Sequence, residues 1–309
     1  MKLLRRKQFL EHVMDDDDAV RSRVARLVLG FTGYALAIYL VDILTPSWFR
    51  VGIEVAPYEV AGFALSSLLV LRTNAGHDRW WEARKLWGGI TNECRNLAIV
   101  ALANGPDDPR WRREIVAWTA AFAHVTRRTL RAQTALKEVA ALVGTGRAGE
   151  IAASDHMPSA VSLRIAGLLR EARDNDGLDR FAYMQAEAQR CLLIDHIGGC
   201  ERILKTPLAK AYVVLIRRFL FLFFLSLPFA LVARVGWLTP VFTMLIAYPL
   251  LALDHIAEDL QHPFSIRSIN HLPLDEITAT IERNLLALLG DLGEGEEPDR
   301  RLTAATSGD

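Results

Sequence analysis

Residues 60–103 form one continuous apolar pattern that begins without charges and then runs, with no proline, into a charged segment. The twelve residues 60–71 are uncharged, and Arg72, Asp78 and Arg79 follow them. At 1.5 Å per residue, twelve residues cover about 18 Å, which is well short of the roughly 30 Å apolar core of a bilayer. The pattern therefore predicts a single helix that begins in lipid and continues in water, and whose polar turn at membrane depth meets neighbouring helices or water.

One face of this helix is a candidate lining for an aqueous path. Positions 63, 67 and 71 are four residues apart, so Phe63, Ser67 and Leu71 share a face. A single copy of such a helix cannot enclose a path. The pattern therefore implies several copies of the chain around a symmetry axis.

Three further segments are apolar enough to cross a membrane, and they lie at residues 27–44, 219–233 and 235–253. Pro228 and Pro249 fall inside the last two, and prolines are tolerated in membrane helices when neighbouring groups satisfy the freed carbonyls. A buried hairpin of a soluble protein remains the alternative for this pair of segments.

The composition fits a chain with a lipid-facing part and a charged aqueous part. Hydrophobic residues make up 51% of the chain, while 36 basic and 36 acidic residues cancel. This balance argues against a nucleic-acid partner. The predicted fold class is an all-α integral membrane protein with four transmembrane helices and a helical cytoplasmic region.

Amphipathic stripes predict helices in the aqueous parts of the chain, over 111–125 with arginines on the opposite side, and over 160–173, 178–204 and 277–288, the last of them ending at Gly290. The expected organisation has six parts: a cytoplasmic N-terminal segment 1–26, two spans 27–103, a cytoplasmic helical region 104–212, two spans 213–253, a cytoplasmic helical segment 254–290 and a disordered tail 291–309.

The distribution of basic residues predicts the topology. Arg and Lys concentrate before residue 27, within 72–85 and at 217–218, whereas the two expected outer turns carry only Arg50 and Arg234. The positive-inside rule then places both termini and the long middle region on the cytoplasmic side of a cell membrane. The cysteines Cys94, Cys191 and Cys200 fall in these cytoplasmic parts and are expected to be reduced.

Several weaker patterns have a structural and a chemical interpretation. Gly144, Gly146 and Gly149 match a dinucleotide-binding loop, but the preceding residues read as a helix where a strand is required. The acidic run 15–18 is compatible with a helix start or with a hard-cation site. A basic and aromatic group, Arg79 to Trp81, is typical of an interfacial anchor.

The cluster His255, Glu258, Asp259 and His262 has helical spacing and side chains that bind metals. No complementary pair of ligands lies on another span, so the aqueous end of a membrane helix is the favoured interpretation. No cofactor, metal or catalytic site is predicted, and the chain is not expected to be an enzyme.

Three segments resemble the bacterial branch of the bestrophin family of ion channels, in the order that the family has them. They are LRTNAGHDRWWEARKLWGGI, GGCERILKTPLAKAYVVLIRRFLFLFFLSLPFAL and EDLQHPFSIRSINHLPLDEITATIERNL. The resemblance implies a homopentamer with a central conduit, a narrow neck on the second span and a cytoplasmic vestibule with a further constriction.

Carried onto this sequence, the resemblance places the three neck rings at Phe63, Ser67 and Leu71 and the lower constriction between Gln189 and Leu193. The family usually has large apolar residues at all three neck positions, so Ser67 implies a wetter neck. Animal members of the family carry an acidic calcium clasp after the last span. Residues 263–273 contain no carboxylate, which implies that such gating is absent here.

The predicted function is a channel that passes small inorganic ions along the axis of a homopentamer, chloride or other monovalent anions being favoured. A cation-selective channel of the same fold, a secondary transporter and a membrane metalloenzyme remain as alternatives. The expected partners are the lipid bilayer, monovalent ions and further copies of the chain.

Overall fold

The computed structural model describes residues 18–45 and 53–294, and within these residues the secondary structure is helical, with no strand. The helices in chain order are α1 (Asp18–Leu44), α2 (Ala56–Asn104), α3 (Pro109–Leu130), α4 (Lys137–Val143), α5 (Thr145–Ala152), α6 (Met157–Asp174), α7 (Arg180–Lys205), α8 (Lys210–Val235), α9 (Thr239–Leu260) and α10 (Leu274–Glu294). The predicted helical class is therefore confirmed. The acidic residues 15–17 and the tail beyond 294 lie outside the described part of the chain.

The chain divides into two compact units. The first comprises the described residues of 1–81 and 207–271, and the second comprises 82–206 and the described residues from 272 onward. Helix α2 is continuous and contributes its N-terminal part to the first unit and its C-terminal part to the second.

Two helical segments of the described chain are long and apolar enough to cross a membrane, namely Arg23–Leu44 and Lys210–Leu260. The second contains both α8 and α9, which are joined by a short 3-10 turn, Gly236–Leu238. Gly236 has a φ of 53°, a backbone conformation that glycine adopts at little cost and that reverses the chain here. The apolar start of α2 is not among these segments, in agreement with its short uncharged run.

Helix α8 supplies most of the core of the first unit. Its side chains Leu220, Phe223 and Phe224 are buried against Leu65 and Leu69 of α2. Further buried apolar residues of α8 and α9 complete this core, namely Ile216, Leu227, Ala247 and Leu250. Two tyrosine hydroxyls reinforce this packing, since Tyr58 donates to the Ser226 carbonyl and Tyr212 donates to the Leu68 carbonyl, each at 3.2 Å.

Helix α3 lies at the centre of the second unit. It begins at an Asp108 cap, whose carboxylate accepts a hydrogen bond from the Arg110 amide at 2.9 Å, with Pro109 at the first helical position. Every residue of 118–127 is buried. Arg127 lies two residues beyond the amphipathic stripe predicted over 111–125, and its side chain is only 5% exposed because it pairs with Glu138 and Asp275.

Two other predicted boundaries are resolved by the structure. Helix α10 continues through Gly290 to Glu294, so the glycine does not end the helix as the sequence suggested. The residues before Gly144 form helix α4, as predicted, and Gly144 adopts a φ of 93° between two helices. The glycine motif therefore lacks the strand that a dinucleotide loop requires.

Candidate functional site

The three residues predicted to line a neck lie on a face of α2 that no part of the described chain covers. Phe63 is 77% exposed, Leu71 is 60% exposed and Ser67 is exposed between them. The Ser67 hydroxyl donates to the Phe63 carbonyl at 2.9 Å, one helical turn earlier. Its oxygen keeps acceptor capacity, so this turn offers a polar group among apolar ones.

The opposite face of the same segment is fixed to the first unit. Leu65, Leu69 and Arg72 have no exposed surface, and the two leucines belong to the core formed with α8. Packing on one side only sets the rotation of the helix about its axis. The sequence could therefore place Phe63, Ser67 and Leu71 on one face, and the structure identifies that face as the unpacked one.

Exposed residues recur on α2 at intervals of seven positions. Leu71, Asp78, Lys85, Asn92 and Ile99 are all exposed. Seven residues are close to two helical turns, so these positions form a stripe that extends over about 42 Å of the helix. These positions are exposed on one continuous helix, α2.

The second predicted constriction lies on α7 in the second unit. Gln189 is partly exposed, and its side-chain oxygen accepts a hydrogen bond from the Asn96 amide at 3.3 Å. Leu193 has no exposed surface within the chain, so its side chain does not face an aqueous path. The exposed residues on this turn are Cys191 and Leu192.

A close helix contact fixes the orientation of α7 against α2. A Cβ atom added at Gly89 would lie 2.3 Å from Nε2 of His196, and one added at Gly199 would lie 2.9 Å from the methyl groups of Leu86. Each helix thus presents a glycine to a large side chain of the other. This contact fixes the rotation of α7 about its axis and therefore determines which of its residues are exposed.

The cation next to Gln189 is neutralised locally. Arg190 donates to the Glu187 carboxylate at 2.6 Å and to the Ser162 hydroxyl at 2.9 Å. The hydrogen bonds to Glu187 raise the pKa of Arg190 and outweigh the opposing effect of its partial burial. Its charge is therefore held by α7 and α6 and is not free to face an ion.

A network of charges in the first unit was missed by sequence reasoning. Arg72 of α2 donates to Asp254 of α9, and Arg217 of α8 bonds Asp254 at 3.4 Å and Glu258 at 2.5 Å. Arg72 is fully buried. It therefore cannot act as a lining charge that attracts anions, although it begins the basic segment 72–85.

The suggested metal cluster is not assembled in the part of the chain described here. Glu258 pairs with Arg217, and no group of three or more His, Cys, Asp or Glu side chains gathers in residues 18–45 and 53–294. The aromatic anchor is partly explained, because the Trp80 indole donates to the Asn270 carbonyl at 2.7 Å and stacks near Trp81.

Comparison with known proteins gives a consistent family. The model of the family described as bacterial/fungal bestrophin protein matches residues 1–287. A voltage-dependent anion channel-forming protein of Mesorhizobium japonicum is 32% identical over 290 residues, covering 93% of this chain and 91% of that protein. The Escherichia coli K12 protein YneE, which carries the same description, is 33% identical over 273 residues, covering 87% of this chain and 88% of that protein.

Solved structures agree with the sequence comparison. A bacterial bestrophin homologue from Klebsiella pneumoniae superimposes with a TM-score of 0.79 at 30% identity, covering 85% of this chain and 98% of that chain. A crystal structure of a membrane protein with a single leucine-to-alanine substitution gives a TM-score of 0.80 at 30% identity, covering 86% of this chain and 99% of the other. The resemblance noted in the sequence is therefore confirmed, and this chain is an integral membrane protein that belongs to the bacterial and fungal bestrophin family.

Proposed function

We propose that the chain forms a homopentameric channel that conducts small monovalent anions, such as chloride, along its symmetry axis. The observation that carries the proposal is the uncovered face of α2, where Phe63, Ser67 and Leu71 are exposed while the opposite face is packed on α8. Symmetric copies would bury this face and enclose a path. Membership of the bestrophin family supports the same arrangement.

Five copies of Phe63, Ser67 and Leu71 would form three stacked rings at the neck. None of these rings carries a charge, so the neck itself does not select the sign of the ion. The proposal of anions rests on the relatives, which are described as voltage-dependent anion channel-forming proteins. Within the second unit, Gln189 and Leu192 of α7 are the proposed lining of the lower constriction.

In the proposed orientation, both termini lie on the cytoplasmic side of the cell membrane. It is supported by the concentration of basic residues at one end of the apolar segments. The four proposed crossings are α1, the apolar start of α2, α8 and α9. The shortest of them, on α2, would be shielded from lipid by the other three and by neighbouring subunits.

The test is electrical recording from the purified protein in planar bilayers. We expect unitary currents that Ser67→Trp abolishes, because five indoles would fill the neck. Leu29→Trp is the matched control, since Leu29 is 65% exposed on α1 and an indole there would enter lipid. Unchanged current in Ser67→Trp would remove the α2 face from the conduit.

Two measurements separate this proposal from its alternatives. In asymmetric NaCl, a reversal potential near that of chloride supports the anion channel, and one near that of sodium supports a cation channel of the same fold. Saturable flux without unitary currents would support a secondary transporter. The mass of the assembled particle, measured by light scattering in detergent, tests the pentamer. A monomer in both detergent and lipid would contradict it.

A further inference from the structure

The first unit contains an apolar cavity between α1, α8 and α9 that the proposed conduction path does not use. The cavity has a volume of about 340 Å³, and Leu27, Phe31 and Phe224 are among its apolar walls. Charged side chains, including Arg217 and Asp254, line one end of it. A cavity that is apolar along its length and charged at one end fits an amphipathic molecule.

A second, polar hollow adjoins the charged end of the apolar cavity. Its volume is about 430 Å³, and Arg23, His255 and Glu258 line both spaces. Asp259 and Arg267 complete the polar hollow. The two spaces are therefore neighbours that share one wall, the apolar one lying along the spans and the polar one lying at their ends.

The polar hollow presents both signs of charge. Arg23 is exposed and has no ion-pair partner among the described residues, whereas Arg217 is already held by Asp254 and Glu258. The Nε2 atom of His255 is buried without a hydrogen-bond partner in the described chain. A buried polar atom without a partner costs free energy, so a ligand that reaches it would be stabilised.

We propose that these two spaces bind one phospholipid with a primary ammonium head group, of the phosphatidylethanolamine class. The acyl chains would lie along Leu27, Phe31 and Phe224, and the phosphate would pair with Arg23. The ammonium would donate to Glu258 and Asp259, which a quaternary choline group cannot do. The inference rests on the placement of α1, α8 and α9 in a membrane, and it is independent of whether the protein conducts ions.

The chemistry of the hollow distinguishes this lipid from the other common ones. A purely anionic lipid such as phosphatidylglycerol would gain from Arg23 but would be repelled by Glu258 and Asp259. Phosphatidylcholine has the phosphate and lacks N–H donors. The occupant that can pair with Arg23, with Asp259 and with Glu258, a carboxylate shared with Arg217, is therefore the zwitterion with a primary amine.

The experiment is native mass spectrometry of the delipidated full-length protein titrated with dioleoyl phosphatidylethanolamine, phosphatidylcholine and phosphatidylglycerol. We expect phosphatidylethanolamine to bind at least about tenfold more tightly than the other two, as charge-assisted hydrogen bonds usually contribute that much. Equal binding of all three, or tighter binding of phosphatidylglycerol, would overturn the assignment of the head group.

Four variants locate the site. Arg23→Ala should weaken phosphatidylethanolamine binding by about tenfold, and Arg23→Lys should retain most of it, because a lysine still offers a charged donor to phosphate. Glu258→Gln should reduce the preference for phosphatidylethanolamine over phosphatidylcholine. Arg218→Ala is the matched control, because Arg218 follows Arg217 on α8 and lines neither space.

The outcomes are distinct. If Arg23→Ala and Arg218→Ala lose binding equally, the loss reflects general charge and the site is refuted. If Arg23→Ala binds as wild-type protein does, the cavity is not the lipid site. Each variant is first checked for a single oligomeric peak by gel filtration, and the lysine variant separates loss of the phosphate contact from loss of folding. Failure of this experiment would leave the currents expected of the channel unaffected.

Discussion

Arg72 on α2 donates a hydrogen bond to Asp254 on α9, and the arginine is completely buried at the point where its helix turns from apolar to charged. The Nε and Nη2 atoms of Arg72 have no partner in the described chain. The pair therefore joins the helix that bears the proposed conduit face to the last apolar helix of the unit, and it does so with a single carboxylate.

Substitution of Asp254 by Asn should destabilise the protein strongly. Removal of one member of a buried ion pair leaves an uncompensated charge and typically costs about 3–5 kcal/mol. The measurement is the thermal unfolding midpoint of the purified variant in detergent. A matched control is Glu258→Gln, which removes a partly exposed carboxylate from Arg217 and should cost less than about 1 kcal/mol.

The double variant Arg72→Met with Asp254→Leu distinguishes the pair from the position. Apolar replacement of both partners of a buried ion pair is often neutral or stabilising, so the double variant should unfold at a higher temperature than Asp254→Asn. If the two variants unfold together, the ion pair is not the origin of the effect.

The cysteines should differ sharply in reactivity. Burial raises the pKa of Cys94 and of Cys200 to about 12, so neither thiol forms a thiolate near neutral pH. Cys191 is exposed on the same turn as Leu192. We expect a maleimide at neutral pH to label one cysteine per native chain and all three after denaturation, with Cys191→Ser removing the native label.

The same cysteine provides a test of the lower constriction. A charged thiol reagent that adds a cation at Cys191 should change the unitary current of the channel, because five added charges would face the proposed aqueous vestibule. The Cys191→Ser protein should not respond to the reagent. Labelling without any change in current would place Cys191 outside the conduction path.

The helices could largely be predicted from the sequence, and their partners could not. The apolar run 60–103 anticipated helix α2 at Ala56–Asn104 because lipid and a helical core both require recurring apolar residues. Arg72 and Asp254 are 182 positions apart, and each is an ordinary charge at the end of an apolar run. Their pairing depends on the rotation of two helices, which hydropathy does not specify.

Rotation also explains the other differences. Leu192 and Leu193 have the same side chain, but a step of one residue turns the side-chain direction by about 100° around a helix. The close contacts at Gly89 and Gly199 set that rotation, and they lie between elements distant in sequence. Arg127 is similar, because the carboxylates that allow its burial come from α4 and α10.

Glu138 should contribute stability that is lost at acidic pH. Burial of its carboxyl favours the neutral form, but the Glu138 backbone and the Arg128 and Arg127 side chains donate hydrogen bonds that lower its pKa to about 2. Because the pKa is lower in the folded state, the stabilisation is complete above the ordinary value of 4.5 and is lost as the pH falls toward 2. The midpoint difference between wild-type and Glu138→Gln should therefore shrink between about pH 5 and about pH 3.

His124 should act in a higher pH range. Its burial lowers the pKa of the imidazole, although the Glu282 carboxylate, 2.7 Å from Nε2, has the opposite effect. Because the pKa is lower in the folded state, stability present above the ordinary value of 6.5 is lost as the pH falls below it. His124→Gln should remove the part of the pH dependence of unfolding that begins as the pH falls below 6.5. An unchanged profile would assign that range to another group.

Ser67 should determine how readily the neck holds water. The proposed rings above and below it, Phe63 and Leu71, are apolar, and apolar constrictions can close to ions by losing water. The Ser67 hydroxyl bonds the Phe63 carbonyl and still offers lone pairs to water, which lowers the cost of a hydrated ion at this level. Val and Thr are nearly equal in volume and differ by the hydroxyl, so we expect a several-fold lower unitary conductance for Ser67→Val, whereas Ser67→Thr should conduct like wild-type protein. Equal conductance of the Val and Thr variants would show that bulk, rather than polarity, controls the neck.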